Sequence, residues 1–262
     1  MISYLYGGRT DIGLNRDLNE DHINIEEVSD ELLFVAIADG AGSKNGNMLQ
    51  PASIAIREVS AILRREYEKA PDVFKANAKL FLYEAIMTAN RILCAFKIAN
   101  EELYAGFGST LTVCLFFDDK RMVFGHIGNN QLLLLRQNKA KDTYLPKVLT
   151  IEQTKAADLL NEGIIREDQF YTHPDRLVIN GALGFYTDPV IQMFDMQMKD
   201  GDFVILTTDG IHYAVRAEII GQIVLDAGDS DRAVSELIKT AKEQNYSDNM
   251  SAIVVFNTPA AL

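Results

Sequence analysis

Short apolar runs that stop at turn-forming residues constrain the fold of this chain more than any other feature. They are rich in β-branched and aromatic residues and shorter than a typical helix. We predict β-strands over 32–38, 111–117, 122–127, 132–135, 202–208 and 250–256. Two of these runs, 122–127 and 132–135, flank the turn 128–130 in the manner of a hairpin.

Apolar residues at helical spacing mark a second kind of segment. They predict helices over 52–65, 76–98, 154–161 and 231–244, with Ser230 or Asp231 as the N-cap of the last one. The two longest helices follow one another between strands, and hairpin-like pairs outnumber strand–helix–strand crossovers. This order favours an α+β fold of mainly antiparallel sheets flanked by helices over a doubly wound parallel sheet.

The chain has no sign of a domain boundary. Its 262 residues, 48% of them hydrophobic, suffice for a sizeable core, and no Ser/Gly-rich linker or low-complexity tract interrupts them. We therefore predict a single domain over residues 1–262. Cys94 and Cys114 lie in apolar surroundings, so we expect buried core thiols rather than a disulfide or a zinc site.

The charge balance bears on the partners of the protein. A net charge of −12 disfavours binding to nucleic acid, which needs a basic face, and adhesion to an anionic membrane. The N-terminal residues do not resemble a signal peptide, and no apolar stretch approaches the length of a membrane span. We expect a cytoplasmic protein without nucleic-acid or membrane partners.

Acidic residues recur at the ends of predicted elements. They are Glu20-Asp21, Asp39-Gly40, Asp209-Gly210 and Asp248-Asn249. Any one of these pairs is ordinary turn chemistry. Taken together they suggest more, because a site for hard divalent cations needs carboxylate oxygens that converge from separate segments.

Eight short motifs follow one another from Thr10 to Phe256. They are TDIGLNRDLNED (10–21), ADGAG (38–42), GSTL (108–111), HIGNNQ (126–131), THP (172–174), ALG (182–184), TDG (208–210) and SDN (247–249). In this order they resemble the motifs of the metal-dependent protein phosphatases of the protein phosphatase 2C type (PPM family), particularly compact bacterial members. A single motif would be weak, but eight in order are specific.

The resemblance implies two antiparallel sheets packed face to face between helices, an α/β/β/α four-layer sandwich. It also implies a serine/threonine protein phosphatase in which two divalent cations, Mn²⁺ or Mg²⁺, activate a water molecule. By this resemblance Asp39 would bridge the two ions. Glu20 and the carbonyl of Gly40 would serve one ion, and Asp209 and Asp248 the other.

Three further residues take their expected roles from the same resemblance. Arg16 would bind the substrate phosphate, and its planar guanidinium suits a pair of phosphate oxygens. Asp21 and Asn249 would orient the metal ligands from behind. Without the resemblance, a surface ion pair with Asp17 or Glu20 would be the preferred interpretation of Arg16.

The turn 128–131 departs from the family pattern. Asn129 stands where the family usually has an aspartate associated with a third, weaker metal site, so we expect that site to be weakened or absent and activity to be low. Ala41 stands where some relatives have a histidine proposed as general acid. His126 is expected to be a satisfied core or rim residue. His212 could donate a proton, although a solvent-facing loop position is the preferred interpretation.

Three functions remain open at this point. The first is a phosphatase for phosphoserine and phosphothreonine proteins, the products of a cognate kinase. The second is a catalytically weak pseudophosphatase that acts as a phosphoprotein- or partner-binding module. The third is a phosphatase for small phosphorylated molecules, with access decided by residues 161–187, which we call the flap and expect near the site.

Overall fold

The computed structural model describes residues 2–42, 50–99, 106–138 and 143–258. Its strands are β1 (Tyr4–Asp11), β2 (Asp21–Ser29), β3 (Leu32–Ala41), β4 (Gly108–Ser109), β5 (Leu111–Phe117), β6 (Arg121–Ile127), β7 (Gln131–Asn138), β8 (Thr143–Val148), β9 (Gln192–Gln197), β10 (Phe203–Thr207) and β11 (Met250–Asn257). Its helices are α1 (Pro51–Lys69), α2 (Pro71–Ala76), α3 (Ala78–Ala99), α4 (Lys155–Asn161), α5 (Glu167–Phe170), α6 (Asp209–His212), α7 (Ala217–Ala227) and α8 (Ser230–Glu243). A 3₁₀ turn spans Pro174–Leu177.

The strands form two sheets in which every described pairing is antiparallel. One sheet has the order β1-β11-β10-β7-β8, and the other β2-β3-β5-β6-β9 with β4 paired to β3. Helices α7 and α8 cover the first sheet, while α1 and α3 cover the second. The predicted α+β fold with two packed antiparallel sheets between helices is therefore confirmed.

Strand β3 shows why its sequence is a continuous apolar run. Leu33, Val35 and Ile37 point into the core between the two sheets. The alternate residues Leu32 and Phe34 point into the core beneath α1 and α3. Because both faces of the strand are buried, apolar residues occupy every position, as expected for a central strand.

Each of the six predicted strands corresponds to an observed strand, although 202–208 extends one residue beyond β10 at each end. The two-residue β4 was missed, and so were β1, β2, β8 and β9. These four are the outer strands of the two sheets. They bury few side chains, so their sequences lack a continuous apolar run. The predicted hairpin at 128–130 is wrong, because β6 and β7 belong to different sheets and the turn passes from one sheet to the other.

The predicted helices also need small corrections. The segment predicted as 76–98 corresponds to α3, which starts at Ala78. Ala76 is instead the last residue of the separate short helix α2. The N-cap of α8 is Asp229, whose carboxylate accepts a hydrogen bond from the Arg232 amide at 2.9 Å. Cys114 is buried as expected, whereas Cys94 is only half-buried. No helix in the described ranges is long and apolar enough to cross a membrane.

The core between the sheets yields a prediction about stability. Replacing the fully buried Leu33 by alanine should lower the free energy of unfolding by about 2–5 kcal/mol, because the side chain leaves a cavity that the sheets cannot close. Urea unfolding measures the change. Leu5→Ala is the matched control, because Leu5 is 59% exposed, and it should cost less than about 1 kcal/mol. Equal losses would contradict the assignment of Leu33 to the core.

Candidate functional site

The acidic residues singled out above meet at one end of the two sheets. Asp21 begins β2 and is the cross-strand partner of Asp39 near the end of β3. The amide of Gly40 donates to the carbonyl of Glu20 at 3.1 Å. Asp209 is the first residue of α6, which follows β10, and Asp248 lies just before β11. The adjacent strand ends thus bring carboxylates from four segments together.

Mutual repulsion in this cluster is visible in the pKa values. Burial, followed by the charges of Asp21, Asp209, Asp248 and Glu20, raises the pKa of Asp39 well above its usual range. Burial and the neighbouring Asp248 raise the pKa of Asp209 to about 7. The cluster therefore holds more negative charge than its protein surroundings compensate, which is the electrostatic condition for binding cations.

Asp21 lies deepest in the cluster. Its Oδ2 accepts hydrogen bonds from the Thr208 hydroxyl at 2.8 Å and the Ser251 hydroxyl at 2.7 Å. Burial raises the pKa of Asp21 to about 7, and the two hydroxyls oppose that shift. Fixed from behind in this way, Asp21 is placed to orient Asp39 rather than to reach solvent.

Asn249 holds the loop that carries Glu20. Its Oδ1 accepts from the Glu20 amide at 2.9 Å, while its Nδ2 donates to the carbonyls of Ile12 at 2.9 Å and Leu18 at 3.0 Å. The loop passes so close to the chain before β11 that a Cβ on Gly13, where φ is +80°, would lie 2.0 Å from the Asp248 carbonyl oxygen. Glycine is therefore required there.

Thr110 lies in the site, although no role was predicted for it individually. Its Oγ1 accepts from the Asp39 amide at 2.8 Å and lies 3.1 Å from Oδ1 of Asn130. Its own amide donates to the Asp39 carbonyl at 2.9 Å. Thr110 thus fixes the backbone of Asp39. The motif at 108–111 was the signal that pointed to it.

Arg16 contacts the cluster through Asp248. Its Nη2 lies 2.8 Å from each carboxylate oxygen of Asp248, although the side chain is 46% exposed. The sequence did not indicate Asp248 as the ion-pair partner of Arg16. The guanidinium therefore stands at the solvent-facing edge of the cluster.

Asn129 is buried beside Asp209. Its Nδ2 donates to Oδ2 of Asp209 at 3.0 Å, and its own Oδ1 has no hydrogen-bond partner among the described residues. An aspartate here could not donate this bond. The asparagine therefore pairs with the Asp209 carboxylate and adds no negative charge to the cluster.

The two histidines near the site are both buried. His126 lies 2.8 Å from the Thr112 hydroxyl through Nδ1 and 3.1 Å from the Gly128 carbonyl through Nε2, as expected for a satisfied core residue. The solvent-facing position preferred for His212 is wrong. The turn after Asp209 is helical and packs inward, and Nδ1 of His212 lies 3.0 Å from the Thr207 hydroxyl. Burial lowers the pKa of His212 to about 3.

The flap lies against this end of the molecule. Leu183 and Ser109 exchange backbone hydrogen bonds of 3.1 and 2.8 Å, and the Ser109 hydroxyl donates to the Asp39 carbonyl at 3.2 Å. Arg176, earlier in the flap, stacks on the ring of Tyr213, four residues after Asp209. The flap is thus attached beside two of the clustered aspartates.

The donor set suits hard divalent cations. Oxygen ligands predominate, the carboxylates carry uncompensated charge, and Asn129 Oδ1 is an unpartnered buried oxygen. In the described part of the chain, no three acidic, histidine or cysteine side chains already surround a common point. The carboxylates therefore converge on one end of the sheets, but the described residues do not form a complete ligand set around one point.

Comparison with known proteins identifies the family. The family model described as Protein phosphatase 2C matches residues 14–254. The chain belongs to this family. This confirms the resemblance that the eight ordered motifs carried.

Individual relatives cover nearly the whole chain. It is 29% identical to the serine/threonine protein phosphatase PstP of Mycobacterium tuberculosis, over 95% of this chain and 44% of PstP. It is 21% identical to the protein phosphatase PhpP of Streptococcus pneumoniae, over 94% of each chain. These family members are bacterial.

Solved structures agree with the fold. The crystal structure of M. tuberculosis PstP superposes with a TM-score of 0.79 at 27% identity, over 98% of this chain and 99% of that one. The catalytic domain of PstP in complex with two manganese ions gives 0.76 at 25% identity, over 97% of each chain. A bacterial serine phosphatase gives 0.85 at 21% identity, over 98% of this chain and 99% of that one.

The buried His126 generates a prediction on acid stability. Burial lowers its pKa to about 4, whereas an unfolded histidine titrates near 6.5. The stability that the neutral ring contributes is therefore complete above pH 6.5 and is lost as the pH falls towards 4. The clustered carboxylates have the opposite pH dependence, so the effect is measured as a difference between the wild type and His126→Gln.

We expect the stability deficit of His126→Gln, taken from urea unfolding in EDTA, to shrink by about 2 kcal/mol between pH 7.5 and pH 5. The control His173→Gln replaces a partly exposed histidine in the flap and should show the same difference from wild type at both pH values. A deficit of His126→Gln that stays constant with pH would show that the ring is not held neutral.

Proposed function

We propose that the protein is a serine/threonine protein phosphatase that hydrolyses phosphoserine and phosphothreonine with the help of two divalent cations, Mn²⁺ or Mg²⁺. The observation that carries the proposal is the convergence of Glu20, Asp39, Asp209 and Asp248 from four segments into one undercompensated cluster. Membership of the protein phosphatase 2C family and the two manganese ions in the PstP structure support it.

The ligands divide between two ions. Asp39, at the centre of the cluster, would bridge them; Glu20 and the Gly40 carbonyl would hold one, and Asp209 and Asp248 the other. The bound ions would supply charge neutralisation and a water molecule of lowered pKa. Four carboxylates match the charge of two divalent ions, and this match relieves the repulsion that raises the pKa of Asp39.

Arg16 would bind the substrate phosphate. Its guanidinium pairs with Asp248, one of the proposed ligands, and is 46% exposed at the edge of the cluster. The planar fork of such an exposed guanidinium suits two phosphate oxygens. Asp21 and Asn249 would position the ligands, and their hydrogen bonds to the Thr208 hydroxyl and the Glu20 amide support this role.

The leaving oxygen would take its proton from solvent. Ala41 has no acidic group at the position where some relatives carry a histidine. His212 is buried, and its lowered pKa keeps the ring neutral, so it cannot serve as a proton donor near neutral pH. We therefore assign no side chain among the described residues as general acid.

The substrates would be phosphoproteins produced by a serine/threonine kinase, and a cytoplasmic location stays a prediction. A catalytically weak, phosphoprotein- or partner-binding module is the second candidate. The observation that favours it is the uncharged Asn129, which is hydrogen-bonded to Asp209. Its neutral side chain would weaken a third metal site and slow turnover without removing the two-ion site.

The decisive experiment is hydrolysis of a phosphothreonine peptide with Mn²⁺, with Mg²⁺ and with EDTA. We expect metal-dependent turnover that EDTA abolishes and that Asp209→Asn lowers at least about 100-fold, because one ligand charge is lost. The control Asp168→Asn changes an exposed acid of the flap and should retain wild-type turnover. Metal binding without turnover on any phosphopeptide or small ester would instead support the binding module.

Asn129 supplies a separate test. We expect Asn129→Asp to raise kcat about 3–10-fold at saturating Mn²⁺, because a carboxylate restores a charged ligand for a third ion. In EDTA the variant should be less thermostable than the wild type, because the introduced carboxylate would face the carboxylate of Asp209. The control Asn77→Asp adds the same charge far from the site, between α2 and α3. An unchanged kcat would contradict the role given to Asn129.

A further inference from the structure

A set of polar contacts leads from Asp209 away from the carboxylate cluster. Asp209 begins α6, and the amide of Tyr213 donates to its carbonyl at 2.9 Å. The hydroxyl of Tyr213 donates to the carboxylate of Glu152, which lies just before α4. Burial and the charge of Glu152 raise the pKa of Tyr213. Tyr213 therefore links the segment that carries Asp209 to a second, partly buried acid.

The flap closes over Tyr213 from the other side. The guanidinium of Arg176 lies 3.6 Å from the centre of the Tyr213 ring, a distance typical of cation–π stacking. Nη1 of Arg176 donates to the Tyr171 carbonyl at 2.6 Å, so the arginine is itself held within the flap. The carbonyl of Arg176 lies 3.3 Å from the Tyr213 hydroxyl. The flap thus contacts both the face and the hydroxyl of one tyrosine.

The segment 152–154 joins these contacts to the turn beside Asp209. Gln153 makes two hydrogen bonds with Gly128. Its side-chain Oε1 accepts from the Gly128 amide at 2.7 Å, and its backbone amide donates to the Gly128 carbonyl at 2.9 Å. The hydroxyl of Thr154 donates to Glu152 at 3.0 Å. Thr154 is also the N-cap of α4, the helix that ends where the flap begins. Glu152 and its neighbours therefore connect the flap to Tyr213, which follows Asp209, and to Gly128 in the turn that carries Asn129.

Two of the contacts that hold the flap lie on either side of the carboxylate cluster. Arg176 is fixed at Tyr213, next to the Asp209 helix, and Leu183 is fixed at Ser109, next to Asp39. Between them, Leu177 and Val178 are 60% and 37% exposed. A peptide chain that presents its phosphorylated residue to the cluster would pass this exposed stretch, whereas a small phosphate ester would not need to.

We propose that Tyr213 and Glu152 are positioning residues that lock the flap in the place where it receives the peptide chain of a phosphoprotein substrate. This inference rests on the proposed phosphatase function for its kinetic part only. Neither residue touches the phosphate; they act through the position of Arg176 and the exposed stretch that follows it.

Tyr213→Phe is the sharpest test, because phenylalanine keeps the ring beneath Arg176 and removes only the hydroxyl. Glu152 then loses one of its two hydroxyl donors, which is costly for a partly buried carboxylate. We expect amide hydrogen exchange in the flap to accelerate about 5-fold or more. The KM for a phosphothreonine peptide should rise about 3–10-fold with kcat within 2-fold, and the KM for p-nitrophenyl phosphate should stay within 2-fold.

Two further variants make the result specific. Tyr144→Phe removes a hydroxyl from β8, at the far edge of its sheet, and should leave flap exchange and both KM values unchanged. Glu152→Leu, which removes the oxygen that accepts the Tyr213 bond, should act in the same direction as Tyr213→Phe. The double variant should show no larger effect than Glu152→Leu alone, because both changes break one contact. Thermal melting of each variant confirms that it is folded.

The positioning role of Tyr213 is overturned if Tyr213→Phe leaves amide hydrogen exchange in the flap and the KM for the peptide at the values of Tyr144→Phe. It is also overturned if the effects of Tyr213→Phe and Glu152→Leu multiply, or if the KM for the small ester rises equally with that for the peptide. Failure of the phosphatase function is a different result. In that case the wild type shows no turnover, and flap exchange in the folded variants still decides whether the lock exists.

Discussion

Repulsion among carboxylates at one end of the two sheets is the constraint on which the rest of the site depends. Asp21 and Asp39 face each other across a strand pair, with Asp209 close by. Such a cluster is expensive to bury, and the fold offsets part of the cost locally. Hydroxyl groups donate to Asp21, the amide of Asn129 donates to Asp209, and the guanidinium of Arg16 pairs with Asp248. Cations would offset the remainder, so the need for them is built into the geometry of the strand ends.

The sequence predicts the centre of the fold better than its edges, for a physical reason. Central strands such as β3 and β5 are buried on both faces, and this produces the continuous apolar runs by which they were found. The outer strands β1, β2, β8 and β9 lack a neighbour on one side and bury few residues. In β2, only Asp21 is fully buried. A half-covered strand with polar residues cannot be told from a loop by its apolar pattern alone.

The same distinction applies to the site. Short motifs predicted which residues meet, because each motif fixes a local turn at a strand end. The partners formed across the chain were beyond such reasoning. Arg16 pairs with an acid 232 residues away, and Tyr213 bonds Glu152 across 61 residues. The burial of His212 likewise depends on how the helical turn after Asp209 packs, which neither periodicity nor motif spacing records.

Asn129 shows how one substitution changes the electrostatics of such a cluster. Its amide donates to Asp209 across 3.0 Å. A second carboxylate at that distance would be forced to share a proton or a cation, since like charges so close cannot both ionise freely. The asparagine removes this conflict and stabilises the metal-free arrangement, but it also removes a charged ligand for an additional ion. Asn129 therefore orients the Asp209 carboxylate while it leaves less negative charge in the cluster for an additional ion.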